Sequence, residues 1–299
     1  MIHHYPSGDH DLLFKSLCLS EDAKILDVGG GANPFKYADV IVDMDFGTGN
    51  VHRDGGFVPL KKNEFIYVSA DIKDLPFQDK SFDFVICLHV LEHVEFPDKA
   101  CKELMRVAKK GFIETPRKWT EYYAGHPTHR WLVDYHDNTI YFEPITYNDS
   151  PFMNFALPPL WDSSQLQERL FKNYSNIPCV QFEWDGKFDY HVSDLLPEKT
   201  YTKNFMAERH YYFALNLLHW MGDFRTGDFH IKTALNLNPE PERYKELGRF
   251  YSILTGGIKE IIQVKSHPDV IAKALLCRIF RFIYSKMLTW YRNIIICFK

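Results

Sequence analysis

The fold is decided by Ala23-Lys-Ile-Leu-Asp-Val-Gly-Gly-Gly-Ala-Asn33, a short apolar run that stops on three consecutive glycines. A continuous apolar segment of this length predicts a strand buried on both faces, as in a parallel sheet. The glycines after it predict a sharp turn that brings backbone close to a ligand, because any Cβ would occupy the ligand's space. Three similar runs follow: Ala38–Met44, Phe65–Ala70 and Phe82–Leu88, each ending in polar or acidic residues. Glu95 to Lys109 carries apolar residues at helical spacing, Gly111 is read as its end, and Phe112–Thr115 starts a fifth strand.

This alternation predicts an α/β fold: a doubly wound, Rossmann-like, mostly parallel seven-stranded sheet with an antiparallel hairpin and a helical C-terminal extension. Val180–Val192 alternates around Asp185-Gly186, the strongest hairpin signal in the chain. Residues 116–161 interrupt the pattern with six prolines and eleven aromatics in 46 positions, which predicts an irregular but ordered insertion over the sheet edge. Ser163–Lys172 reads as helical. After Pro197 the periodicity predicts helices near 204–221, 228–236, 241–254 and 268–297. The division expected is a domain over 1–200, with 116–161 as its substrate insertion, and an extension over 201–299. Ala234–Pro239 with Leu247, Gly248 and Tyr251 weakly resembles a junction of tetratricopeptide units, although Leu215 and Gly227 depart from that pattern.

The acids at the strand ends suggest what binds there. The order acid, x, Gly, x, Gly, x, Asn over Asp27–Asn33 differs from the dinucleotide fingerprint, and Asp27 would repel a pyrophosphate but suit a cationic ligand. Asp43 ends the second strand, where a carboxylate accepts both hydroxyls of a ribose, with Asp45 as the fallback. Asp71 is placed to accept from an exocyclic amine, and Ile72 to flank a purine ring. The set describes a site for an adenosine bearing positive charge.

Four ordered blocks, DVGGGANP, VDMD, ADIKDLPFQDKSFDFVICLHVLEHV and RVAKKGFIETP, resemble a class I S-adenosylmethionine-dependent methyltransferase of type 11 from about Ile25 to Pro116. The resemblance implies S-adenosyl-L-methionine as cofactor, with Gly29 and Gly31 cradling its methionine part, Asp43 the ribose and Asp71 the adenine amine. It also implies that Leu88 or His89 closes the cofactor site. Two positions depart: Asn33 stands where a third glycine is common, and Lys109-Lys110-Gly111 lacks the usual double glycine. Within the same region His89-x-x-Glu92-His93 also fits an H-x-x-E-H zinc-peptidase pattern. No third ligand is visible in the sequence, so no metal is expected.

Methyl transfer is an in-line displacement, so positioning is expected to carry most of the catalysis. Glu114, His126 and His129 are the candidate bases for a hydroxyl acceptor, with Arg130, Trp131 and Tyr123 as substrate-binding candidates. The aromatic cover and acidic body suit a small polar acceptor, such as a sugar or another hydroxyl compound, and no nucleic acid is expected. A different class of reading is a non-catalytic scaffold that keeps the cofactor fold and acts through its helical part.

The formal charge of −4 divides unevenly. Residues 257–299 carry a net +6 and the first 256 about −10. In the predicted helix from Ile271 to Phe298, Arg278, Arg281 and Arg292 share a face, which suits a peripheral membrane surface, a protein partner or the acidic body. The six cysteines include no C-x-x-C pair, the first residues lack a basic-then-apolar leader, and no apolar run approaches the ~20 residues of a spanning helix. A cytoplasmic location is expected, peripheral to a membrane if the basic helix binds one.

Overall fold

The computed structural model describes residues 5–31, 33–47, 60, 65–146, 176–193, 202–217 and 224–255. The chain divides into two compact units, Met1–Phe205 and Met206–Lys299. The first contains α1 (His10–Ser16), β1 (Ile25–Val28), β2 (Val40–Asp43), β3 (Ile66–Ser69), β4 (Phe82–Leu88), α2 (Pro97–Val107), β5 (Ala108–Pro116), α3 (Lys118–Ala124), β6 (Trp131–His136), β7 (Thr139–Pro144), β8 (Cys179–Asp185) and β9 (Asp189–Val192).

The main sheet has the order β3-β2-β1-β4-β5-β8. Its first five strands are parallel, and β8 is antiparallel to β5, from Lys110 opposite Asp185 to Pro116 opposite Cys179. Because side chains alternate along a strand, the apolar runs feed two separate cores. Leu26, Val28, Val85 and Cys87 pack on one face with Ala100, Leu104 and Val107 of α2. Ile25, Ile41, Phe84 and Ile86 pack on the other with Leu13 and Leu17 at α1. Apolar residues on both faces of β1, β2 and β4 are thus the consequence of having both faces covered. The edge strand β3 lacks this burial, and its Ile66 is exposed.

α1 was not anticipated, although Asp9 supplies its cap by accepting from the backbone N–H groups of Asp11 and Leu12 at 3.1 Å each. At the other helix, Gly111 does not terminate α2. The helix ends at Val107, opened by Pro97 at its first turn, and the next residue already belongs to β5. Gly111 lies inside the strand, where a Cβ would come within 2.6 Å of Val85 Cγ1 and 2.7 Å of the Trp184 ring. The glycine is there for close packing between β4 and β8.

The hairpin expectation also needs correction. β8 and β9 flank Asp185-Gly186, and Gly186 has φ +73, but the two strands enter different sheets. β8 completes the six-stranded sheet, whereas β9 runs parallel to β7 in a three-stranded sheet, β6-β7-β9. The reason is apolar: Phe188, between them, is buried against Phe182 and Trp184, pulling the chain off the sheet edge. Six strands, rather than seven, therefore pair in the main sheet among the described residues. The real hairpin is β6–β7, turned by Asp137 and Asn138 with φ values of 49° and 60°, as a two-residue primed turn requires. It lies within the segment expected to be irregular, so residues 118–144 hold a helix and a hairpin instead.

The second unit takes its helices from α4 (Lys203–Asn216), α5 (Phe224–Leu237) and α6 (Glu242–Thr255). Its core is Ala207, Ala214, Ile231, Ala234, Tyr244, Leu247 and Tyr251. Glu208, buried, accepts from Tyr244 at 2.5 Å and from Arg243 at 2.6 and 2.5 Å, and His210 and His230 form a buried stacked pair. The helix expected over 163–172, the end of the 116–161 insertion and the basic helix over 271–298 lie outside the described residues. Among the described residues no helix is long and apolar enough to cross a membrane.

Candidate functional site

In the main sheet, chain order reverses between β1 and β4, and ligands of open α/β sheets bind at the carboxyl ends of the strands flanking such a point. A cleft of about 730 Å3 occupies this position. Gly29, at the end of β1, has φ +78, and a Cβ on it would lie 2.2 Å from Val90 Cγ2. Only glycine serves, because the loop after β4 passes directly against it. The Gly29 N–H donates to the Val42 carbonyl at 2.6 Å, and Gly31 has φ +46.

Asp27 closes this loop from below. Its Oδ2 accepts from the Phe35 N–H at 2.7 Å, and its side chain is buried. Burial pushes its carboxyl up to about 7; the Phe35 N–H opposes this, and the charge of Asp43 adds to it. Asp27 lines the cleft as expected, and it also holds the loop in shape.

Asp43, Asp71, Ile72, Leu88 and His89 all line the same cleft, and so do Gly29 and Gly31. Asp45 does not line it; its carboxylate accepts from the Gly47 N–H at 2.6 Å in the turn beyond. Asp71 accepts from the Lys73 N–H at 3.0 Å and stands 3.4 Å from its Nζ.

His89 has φ +54, an unusual conformation for a residue with a side chain. Its N–H donates to the Glu114 carbonyl at 2.8 Å, its Nε2 donates to Glu114 Oε1 at 3.0 Å, and its Nδ1 lies 3.6 Å from Glu92 Oε1. Burial opposes its charge, but the hydrogen bond to Glu114 and the negative charges of Glu114 and Glu92 outweigh that and raise it to about 10. Glu114 is buried at the end of β5, accepting also from Ser7 Oγ at 2.9 Å and Gln181 Nε2 at 2.6 Å.

The substrate-side candidates separate. Glu114 and Arg130 line the cleft, whereas His126, His129 and Trp131 do not. Trp131 is 1% exposed, and its indole N–H donates to the Val94 carbonyl at 2.6 Å, so it stands in the core. His129 is buried with its Nδ1 2.8 and 2.9 Å from the two Glu121 oxygens. The Tyr123 side chain lies outside the described residues. Sequence reasoning missed Ser7, His10, His93 and Glu95 as cleft residues. For His93 the signal was the HVLEH motif; for Ser7 there was none, since only tertiary pairing with Glu114 brings it there.

Among the described residues, two groups of side chains offer metal-ligating atoms within 4.8 Å of one another: His89 with Glu114 and Cys179, and Glu92 with His93 and His129. The peptidase pattern, with His89 and His93 on one helical face, does not form. The segment turns rather than winding into a helix, and the two histidines fall into different groups.

Comparison with known proteins places this geometry. The family described as methyltransferase domain matches residues 26–113. Residues 26–113 form a methyltransferase domain. It is of the class I, S-adenosylmethionine-dependent kind, and S-adenosyl-L-methionine is its cofactor. An uncharacterized protein of Methanocaldococcus jannaschii is 35% identical over 100 residues, 33% of this chain and 41% of that protein. The demethylmenaquinone methyltransferase of Renibacterium salmoninarum is 33% identical over 93 residues, 29% of this chain and 38% of that protein. The chain thus spans about two fifths of the length of these relatives. A SAM-dependent methyltransferase of Aquifex aeolicus is similar in structure, with 23% identity, TM-score 0.30, and coverage of 37% of this chain and 65% of that one.

The residues in the methyltransferase domain fit the cofactor. Carboxylates at Asp43 and Asp71 offer acceptors to hydroxyls and an amine, apolar Ile72 and Leu88 line the same cleft, and the Gly29–Gly31 turn leaves its floor bare of side chains.

Proposed function

We propose that this chain is a methyltransferase that moves the methyl group of S-adenosyl-L-methionine to an oxygen of a small polar acceptor, such as a sugar or another hydroxyl compound. When bound, the cofactor supplies a methyl group already activated on a sulfonium. The observation that carries the reading is the shared cleft: the glycine turn, Asp43 and Asp71 are on one side, and His89, Glu114, Arg130 and His93 border the same space.

Charge is neutralised as a sulfonium becomes a thioether, so the wall residues act chiefly by alignment. As the acceptor oxygen gains the methyl group its hydroxyl proton passes to water in the cleft, because His89, held charged by Glu114 and Glu92, orients the acceptor rather than taking its proton at neutral pH. Arg130 gives a second cationic contact for an acceptor with an anionic group. His126 and His129, which do not line the cleft, are not proposed as bases. Methyl-tritiated cofactor incubated with the protein and fractionated cell extract tests this. Label in a low-mass polar fraction is expected; label confined to protein, lipid or nucleic acid would overturn the acceptor class.

A further inference from the structure

We infer that Glu92, His93 and His129 form a binding site for a divalent transition-metal cation. Glu92 and His93 are neighbours in the turns after β4, and His129 comes from the segment after α3. The two segments are tied by a main-chain bond, the Arg130 N–H to the Glu92 carbonyl at 2.6 Å, so their side chains face each other by construction. Ligating atoms of the three lie within 4.8 Å of one another. Atoms bound to one zinc stand about 3.3 Å apart, a distance reached from here by small side-chain rotations.

The surroundings are those of a ligand set. His129 Nδ1 is hydrogen-bonded to Glu121, at 2.8 Å from Oε1, and His93 Nδ1 to Thr128 Oγ1 at 3.0 Å. A carboxylate or hydroxyl behind an imidazole fixes its ring and strengthens the other nitrogen as a ligand. The His93 and His129 rings meet edge to face, with centroids 4.5 Å apart.

Glu92 supplies the independent observation. It is fully buried, and its Oε2 accepts from Thr115 Oγ1 at 3.0 Å, but its Oε1 has no hydrogen-bond partner. His89 Nδ1, at 3.6 Å, is beyond hydrogen-bonding distance. A buried carboxylate oxygen left so is costly and calls for a ligand. The other group differs on this point: Glu114 there is saturated by Ser7, His89 and Gln181, and burial pushes the Cys179 thiol up, away from the thiolate that binds metal.

Two imidazoles and one carboxylate suit zinc, manganese or iron rather than magnesium or calcium. Three protein ligands leave the coordination incomplete, and of the three His93 lines the cleft. His129 thus takes the place that the sequence pattern gave to His89.

The test is calorimetric titration of the full chain, stripped with chelator, with ZnCl2 and separately with MnCl2. Binding of one equivalent of at least one cation is expected, weakened at least about tenfold in both His93→Asn and His129→Asn. The exposed control His191→Asn should bind as the wild type does. Circular dichroism confirms folding of each variant, and His93→Asn, on the cleft wall, serves if the more buried His129 variant fails to fold. No binding by the wild type, or equal binding by folded His93→Asn, would overturn the site.

Discussion

Glu114 Oε1 lies 3.0 Å from His89 Nε2, and the His89 N–H donates to the Glu114 carbonyl at 2.8 Å, so one residue grips the other through both side chain and backbone. This double contact joins the ends of β4 and β5 beside the cleft. It explains how His89 keeps a positive φ: the backbone strain is offset by bonds available only in that conformation.

The His89 ring should remain protonated through neutral pH, with a midpoint near 10. Because its folded-state value is raised, its stabilising contribution is complete below its ordinary 6.5 and is lost as pH rises toward 10. Glu114→Gln removes the principal partner and should move the midpoint down by more than one unit. Heteronuclear NMR of ring-labelled histidine, read against His89→Gln for assignment, measures both.

Asp27 predicts a pH effect of its own. Its carboxyl is raised from 3.8 to about 7, so the folded state favours the protonated form, and stability from this group is present below 3.8 and lost as pH rises through about 7. Asp27→Asn keeps an acceptor for the Phe35 N–H without the charge. Relative to wild type, the variant should gain stability between pH 4 and 7, by an amount on the order of 4 kcal/mol at most. Urea unfolding at several pH values checks it; a constant difference would contradict it.

Gly111→Ala should destabilise the fold by ~2 kcal/mol, since its Cβ would press on Val85 and Trp184 between neighbouring strands. The urea midpoint should fall with the m-value unchanged.

The parallel core was legible because each of β1, β2 and β4 is a local apolar run, and the cleft acids follow from where those runs end. Burial of both faces needs no knowledge of the partners. What pairs across distance was not legible. β7 and β9 are about fifty residues apart in the chain and join in parallel, while Asp185-Gly186 gave a local signal that the burial of Phe188 overrides. Gly111 looked like a helix stop because its true reason, Trp184, lies on another strand. His126 and His129 stood out as bases by residue type alone; their cluster with His93, Thr128 and Glu121 exists only in three dimensions.

Cofactor affinity should depend on the strand-end residues unequally. Asp43→Ala and Asp71→Ala should each weaken it about tenfold, the loss of a charge-assisted hydrogen bond. Gly29→Val should abolish it, because the new side chain collides with Val90 at an unfavourable φ. Fluorescence titration of the three variants beside wild type gives the order.

The most direct measurement is isothermal titration of the full chain with S-adenosyl-L-methionine and with its demethylated product, run beside folded Gly29→Val. One equivalent of each ligand should bind the wild type, and neither should bind the variant. Failure of both ligands to bind the folded wild-type protein would contradict the assignment of the cleft as a methyl-donor site.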